Sequence, residues 1–159
     1  MKKVGMIDYF LDEWHANHID GWLKEASNGR YGIALAWGMI DNPNGKTNEA
    51  WSQEHNIPLA SSIQQVIDEC DVLMVMSPDN PEFHEELCAQ VLHCGKPTYV
   101  DKTFAPDLAN AKRIFAMAEK GNTPMFSTSS LRFSEEFKGL RRDGICLVRT
   151  GGPGVYSNY

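Results

Sequence analysis

Continuous apolar runs alternate along the chain with segments whose apolar residues recur at helical spacing. The apolar runs predict buried strands, because a strand covered on both faces shows no alternation of polar and apolar residues. These runs lie at 3–7, 31–37, 72–76, 98–100 and 124–128, with a very short one at 58–60. The helical spacing predicts helices over 15–26, 47–56, 62–70, 82–94, 107–120 and 134–142, and a last strand begins at 145–149.

Alternating strands and helices with short connections predict an α/β fold. Parallel strands need crossover helices, and right-handed crossovers produce a doubly wound parallel sheet of the Rossmann type. We expect one such domain over 1–148. Ligands bind such sheets at the carboxyl ends of the strands, so the loops of interest follow Ile7, Trp37, Met76, Val100 and Thr128.

Composition narrows the class of protein. The chain has 159 residues, of which 42% are hydrophobic and 23% charged, values typical of a folded globular domain. A net charge of −6 without a basic stripe argues against a nucleic-acid partner. No apolar run approaches the roughly 20 residues of a membrane helix, and the N-terminus does not resemble a signal peptide. Four cysteines without a CxxC pair indicate reduced thiols and a cytoplasmic protein, and no metal is expected.

One set of motifs resembles a known family. Ser77-Pro78, His84, Gly95-Lys96-Pro97 and Val100-Asp101-Lys102-Thr103 follow in the order and at the spacing of the glucose–fructose oxidoreductase / inositol dehydrogenase / MocA family. The resemblance implies the N-terminal NAD(P)-binding Rossmann domain of a nicotinamide-dependent oxidoreductase. It also implies NAD or NADP as cofactor and a small sugar- or polyol-like substrate.

The resemblance further implies site residues. Lys102 corresponds to the lysine that lies at the nicotinamide edge and polarises the substrate oxygen, although a solvated surface lysine is the alternative. The residues expected at the cofactor are Asp8, Asp41, Ser77, Pro78, Asn80, His84, Asp101 and Lys102. Asp41 also fits a local turn in Asp41–Gly45, and His84 also fits a capping or packing role.

Three departures from the family pattern favour a second hypothesis. Asp8, Phe10 and Glu13 stand where a dinucleotide loop has glycines, and Asp101-Lys102-Thr103 replaces Glu-Lys-Pro. The chain reaches only the start of the family's second domain, expected at 149–159. The alternative is therefore a non-catalytic Rossmann scaffold for assembly or for binding another small molecule. An apolar surface left uncovered would make the chain a homo-oligomer.

Some polar and aromatic residues admit two interpretations. His15 and His18 share a helix face, where they form either a metal pair or ordinary polar surface. The polar run Ser127–Ser130 follows a strand and either reaches a ligand or forms local turns. The four tryptophans are interpreted as core or interface anchors.

Overall fold

Five parallel strands form the centre of the computed structural model, which describes residues 1–133 and 135. They are β1 (Lys2–Asp8), β2 (Tyr31–Gly38), β3 (Val72–Val75), β4 (Thr98–Val100) and β5 (Met125–Phe126). Their order in the sheet is β2-β1-β3-β4-β5, and all four pairings are parallel. This topology confirms the predicted doubly wound sheet. The strands stay parallel, but the order in which they are added across the sheet reverses between β1 and β3.

Five helices connect the strands, and polar side chains fix where most of them begin. They are α1 (Trp14–Ala26), α2 (Asn48–His55), α3 (Ile63–Glu69), α4 (His84–Val91) and α5 (Leu108–Lys120). Thr47, Ser62 and Asp107 each accept a hydrogen bond from the backbone N–H three residues further on. Such caps satisfy N–H groups that have no partner inside the helix.

The sheet has a separate core on each face. Helices α3, α4 and α5 pack on one face over Ile7, Val75 and Val100. Helices α1 and α2 pack on the other face, around the fully buried Trp51. The Trp51 indole N–H donates to Asn17 Oδ1 at 2.7 Å, which joins α2 to α1.

Several predicted elements are shorter in the structure. The run at 58–60 forms only one bridge, between Ala36 and Leu59, because Pro58 has no N–H to extend a ladder. The helix predicted over 82–94 begins as a 3-10 helix at Pro81–Phe83 and ends at Val91. The helix predicted over 134–142, the strand over 145–149 and the domain boundary at 148 lie outside the described residues. No helix among the described residues is long and apolar enough to cross a membrane.

Candidate functional site

The carboxyl ends of β1, β3 and β4 lie side by side at one edge of the sheet. Ile7 pairs with Val75, and Val75 pairs with Val100, so these three residues stand at one level. All three point into the core of α3, α4 and α5. Because side chains alternate along a strand, the residues that follow them, Asp8, Met76 and Asp101, turn toward the α1 face. Ser77 and Lys102 follow Met76 and Asp101 in the chain. The loops after Ile7, Met76 and Val100 therefore lie at the same edge of the sheet, as the sequence predicts.

A groove of about 850 Å³ crosses the α1 face of the sheet and ends at this edge. Its walls are largely apolar, and several of the side chains are aromatic. They include Trp14, Trp22, Tyr99, Phe126 and Phe133. Polar side chains gather at the end of the groove near the carboxyl ends of β4 and β5. They are His15, Asp101, Lys102, Thr128, Ser129 and Ser130. An apolar cleft with a few convergent polar groups is the usual form of a small-molecule site.

Asp101 is a buried acceptor at the polar end of this groove. It is 3% exposed, and its Oδ2 has no hydrogen-bond partner within the described part of the chain. Its Oδ1 lies 2.6 Å from the Tyr99 hydroxyl, which is also 3.0 Å from the Thr128 carbonyl oxygen. Burial and the Asp101 carboxylate raise the pKa of Tyr99, so the phenol stays protonated and donates. Among the described residues, one oxygen of Asp101 thus has a donor and the other has none.

His15 and Lys102 place basic groups beside Asp101. The His15 Nδ1 lies 3.1 Å from Glu13 Oε2, and this hydrogen bond raises the pKa of the imidazole. Lys102 is half-buried and lines the same end of the groove. The site thus combines one buried carboxylate with two groups that can carry positive charge.

His84 holds the two loops around the site together from behind. Its ring is fully buried, with Nε2 2.5 Å from the Met76 carbonyl oxygen and Nδ1 3.2 Å from that of Phe104. Met76 lies at the end of β3, and Phe104 closes the loop that carries Lys102. Both ring nitrogens face backbone carbonyls, so His84 positions the loop rather than facing the groove. Burial lowers the pKa of His84, which favours the neutral ring.

The remaining residues implied by the resemblance do not line the groove. Asp41 is exposed, and its Oδ1 accepts from the Asn48 N–H at the start of α2, at 2.7 Å. Ser77 is buried with a left-handed φ of 92°, and its hydroxyl donates to the Asn80 carbonyl at 2.7 Å. Pro78 is buried beside it. These residues shape the turn after β3.

Asp8 is an acid buried at the end of β1. It is 1% exposed, its Oδ1 accepts from the Tyr9 N–H at 2.7 Å, and its Oδ2 has no partner within the described residues. Burial raises its pKa well above 3.8, and the nearby Glu13 carboxylate raises it further. The folded state therefore opposes ionisation of Asp8.

We expect Asp8→Asn to stabilise the domain at neutral pH. A raised carboxyl pKa means that the folded state retains its proton longer than the unfolded state, so stability is full below pH 3.8 and falls as pH rises through the folded pKa. Asparagine does not ionise, so the variant should keep its stability as pH rises through the pKa of Asp8. Melting temperatures from pH 4 to 8 measure it, with the exposed Asp79→Asn as control. A variant less stable than the parent at pH 8 would contradict the assignment.

The loop between β1 and α1 is filled by its own contacts. The Glu13 carboxylate accepts from the backbone N–H groups of His15, at 2.7 Å, and Ala16, which begin α1. The Tyr9 ring stacks on Phe83 with centroids 4.1 Å apart and planes 13° from parallel. In Rossmann folds this region binds the diphosphate of a dinucleotide, and the residues present here do not fit that group.

The sequence did not predict Tyr99, Trp14 and Trp22 as site residues. Tyr99 lies two residues before Asp101 on the same face of β4, a period-two signal that could have suggested it. Trp14 and Trp22 are 61% and 40% exposed and stand apart from the core tryptophan, Trp51. The described residues contain no group of three ligands that could hold a metal ion at His15 and His18.

Comparison with protein families gives one match over most of the chain. The family model described as "Oxidoreductase family, NAD-binding Rossmann fold" (GFO_IDH_MocA) matches residues 15–128. The uncharacterized oxidoreductase YhhX of Escherichia coli K12 is 30% identical over 82 residues. Those residues are 52% of this chain and 24% of YhhX.

Solved structures show the same fold. A dehydrogenase (MviM) from Clostridium difficile has a TM-score of 0.61 at 23% identity, covering 79% of this chain and 38% of its own. The WlbA dehydrogenase from Bordetella pertussis, solved with NADH and UDP-GlcNAcA, has a TM-score of 0.65 at 15% identity, covering 82% and 37%. The chain thus spans about a quarter to two fifths of the length of these relatives.

Proposed function

The chain belongs to the glucose–fructose oxidoreductase / inositol dehydrogenase / MocA family of oxidoreductases, and on that premise we propose that its groove binds a sugar- or polyol-like substrate with Lys102 as the catalytic residue. The observation that carries the proposal is the meeting of Lys102, Asp101 and His15 at the polar end of an otherwise apolar groove. The UDP-sugar bound to the related WlbA dehydrogenase supports the substrate class.

Each polar group has a role toward a hydroxylated substrate. The Lys102 ammonium donates to a substrate oxygen and stabilises negative charge on it. The buried Oδ2 of Asp101, which has no donor among the described residues, accepts from a neighbouring substrate hydroxyl, while Tyr99 fixes the carboxylate. The aromatic walls, Trp14 and Trp22 above all, cover the apolar faces of a sugar ring. Hydride transfer at this site would need a nicotinamide, the family's redox partner, held by residues other than those of the β1 loop, which do not fit a diphosphate.

A second candidate function is binding without catalysis. The contacts that fill the β1 loop favour it, since a domain that has lost its nucleotide site retains the groove as a ligand site. Both candidates require a ligand at Lys102, and only turnover separates them. Self-association, the second-domain start at 149–159 and cytoplasmic location stay predictions from the sequence.

We expect Lys102→Met to weaken ligand binding in the groove about 10- to 100-fold, the range for losing a hydrogen bond from a charged donor. Titrations with myo-inositol, D-glucose and a UDP-hexuronate are followed by tryptophan fluorescence, because Trp14 and Trp22 line the groove. Lys112→Met, on the exposed side of α5, is the control. Equal affinities in the parent and Lys102→Met would place the ligand elsewhere.

A further inference from the structure

We infer that this domain does not bind a dinucleotide in the crevice between β1 and β3, because its own side chains occupy the positions that a diphosphate and ribose need. The inference goes beyond the proposed function, since it concerns the β1 loop rather than the groove at Lys102. It also assigns that loop a different role, as a structural lock that joins the ends of β1, β2 and β3.

The anion position at the start of α1 is already taken. A diphosphate in a Rossmann fold binds the N–H groups that begin the first helix. Here the Glu13 carboxylate accepts from two of these groups, those of His15 and Ala16. Glu13 is 8% exposed and is tethered to the helix it caps. An incoming diphosphate would have to displace this carboxylate and then lie beside it and the buried Asp8.

Aromatic rings fill the crossing point of the crevice. Tyr9 belongs to the loop after β1, and Phe83 belongs to the 3-10 helix that follows β3. Strands β1 and β3 are the neighbours between which the strand order reverses, where a dinucleotide crosses the sheet edge. The stacked rings, 4.1 Å apart, bridge these two loops. The backbone cannot approach a diphosphate closely at a position that carries a buried Asp8 side chain.

On the ribose side of the crevice, hydrogen bonds of the Asn48 side chain join two loops. The Asn48 side chain accepts from the Leu11 N–H at 3.0 Å and donates to the Ile40 carbonyl at 2.8 Å. It also packs on Gly38, where an added Cβ would stand 2.5 Å from Asn48 Oδ1. Asn48 thus fastens the loop after β1 to the loop after β2.

Two acids also contribute to this structural lock. Asp12 lies in the loop after β1, and Asp41 lies in the loop after β2. Asp41 Oδ1 accepts from the Asn48 N–H at 2.7 Å, and Asp12 Oδ2 accepts from the Lys46 N–H at 2.8 Å. A ribose-binding acid would have to offer its carboxylate to the 2′-hydroxyl. These two carboxylates instead accept from backbone N–H groups at Lys46 and Asn48.

Two measurements on the whole chain test the inference. Isothermal titration with NADH, NADPH and ADP to millimolar concentration is expected to give no saturable heat. Glu13→Gln is expected to lower the melting temperature by about 2–4 °C, the usual effect of weakening a helix cap in a domain of this size. Glu25→Gln, an exposed glutamate on the same helix, is the control and should leave it unchanged.

The inference is overturned if NADH or NADPH binds with a sub-millimolar dissociation constant and ADP competes with it. It is equally overturned if Glu13→Gln has the same melting temperature as the parent and Glu25→Gln, because the Glu13 carboxylate would then not hold the start of α1. Neither result depends on the sugar titrations with Lys102→Met, so failure of the lock and failure of the substrate site are distinguishable.

Discussion

His84→Ala is expected to lower the free energy of unfolding by about 3–5 kcal/mol, the range for truncating a large buried side chain and leaving its partners unpaired. The ring is fully buried, and its removal leaves a cavity and takes away the one N–H that the neutral ring donates to the carbonyl of Met76 or of Phe104. Urea unfolding measures the change. His93→Ala removes an exposed histidine nearby in sequence and is expected to cost little.

The same residue makes stability depend on pH in a defined direction. Burial depresses the pKa of His84 below 6.5, so the unfolded chain binds the proton first. The contribution of His84 is therefore full above pH 6.5 and is lost as pH falls through the folded pKa. The stability difference between the parent and His84→Ala should narrow as pH falls from 7 to 5. A difference that widens on acidification would show that the folded ring is charged.

Gly121→Ala is expected to destabilise the domain by more than about 3 kcal/mol, beyond the usual cost of overpacking. A Cβ at this position would lie 1.8 Å from the Leu92 carbonyl oxygen and 2.6 Å from the His93 Cα. Both obstacles are backbone atoms, so a change of side-chain rotamer cannot relieve the clash. The end of α5 would have to move away from the end of α4.

Gly21→Ala is the matched control for this substitution. Gly21 lies within α1, and an added Cβ there meets nothing within 4 Å. Alanine in an exposed helix interior is expected to stabilise by roughly 0.5–1 kcal/mol. The urea concentration at the unfolding midpoint should therefore fall for Gly121→Ala and rise for Gly21→Ala. A tolerated Gly121→Ala would mean that α4 and α5 are not packed as closely as the structure shows.

The role of the β1 loop could be predicted only in part. The sequence shows Asp8, Phe10 and Glu13 at the positions where a dinucleotide loop has glycines, which indicates that the loop does not fit a diphosphate. The sequence did not show that Glu13 caps α1 or that Tyr9 stacks on Phe83. The second contact joins residues far apart in the chain, and no local pattern specifies such a pair.

The sequence by itself determined the five parallel strands, the five helices of the described residues and the family, because these depend on local periodicity and on motifs of fixed spacing. Tertiary structure alone decided which polar residues share a site. It placed Asp101, Lys102 and His15 at one end of the groove, and it turned His84 into a buried link between two loops. The reason is physical. Burial and hydrogen-bond partners, which set the chemistry of these side chains, arise when β1, β3 and β4 align and bring distant segments together.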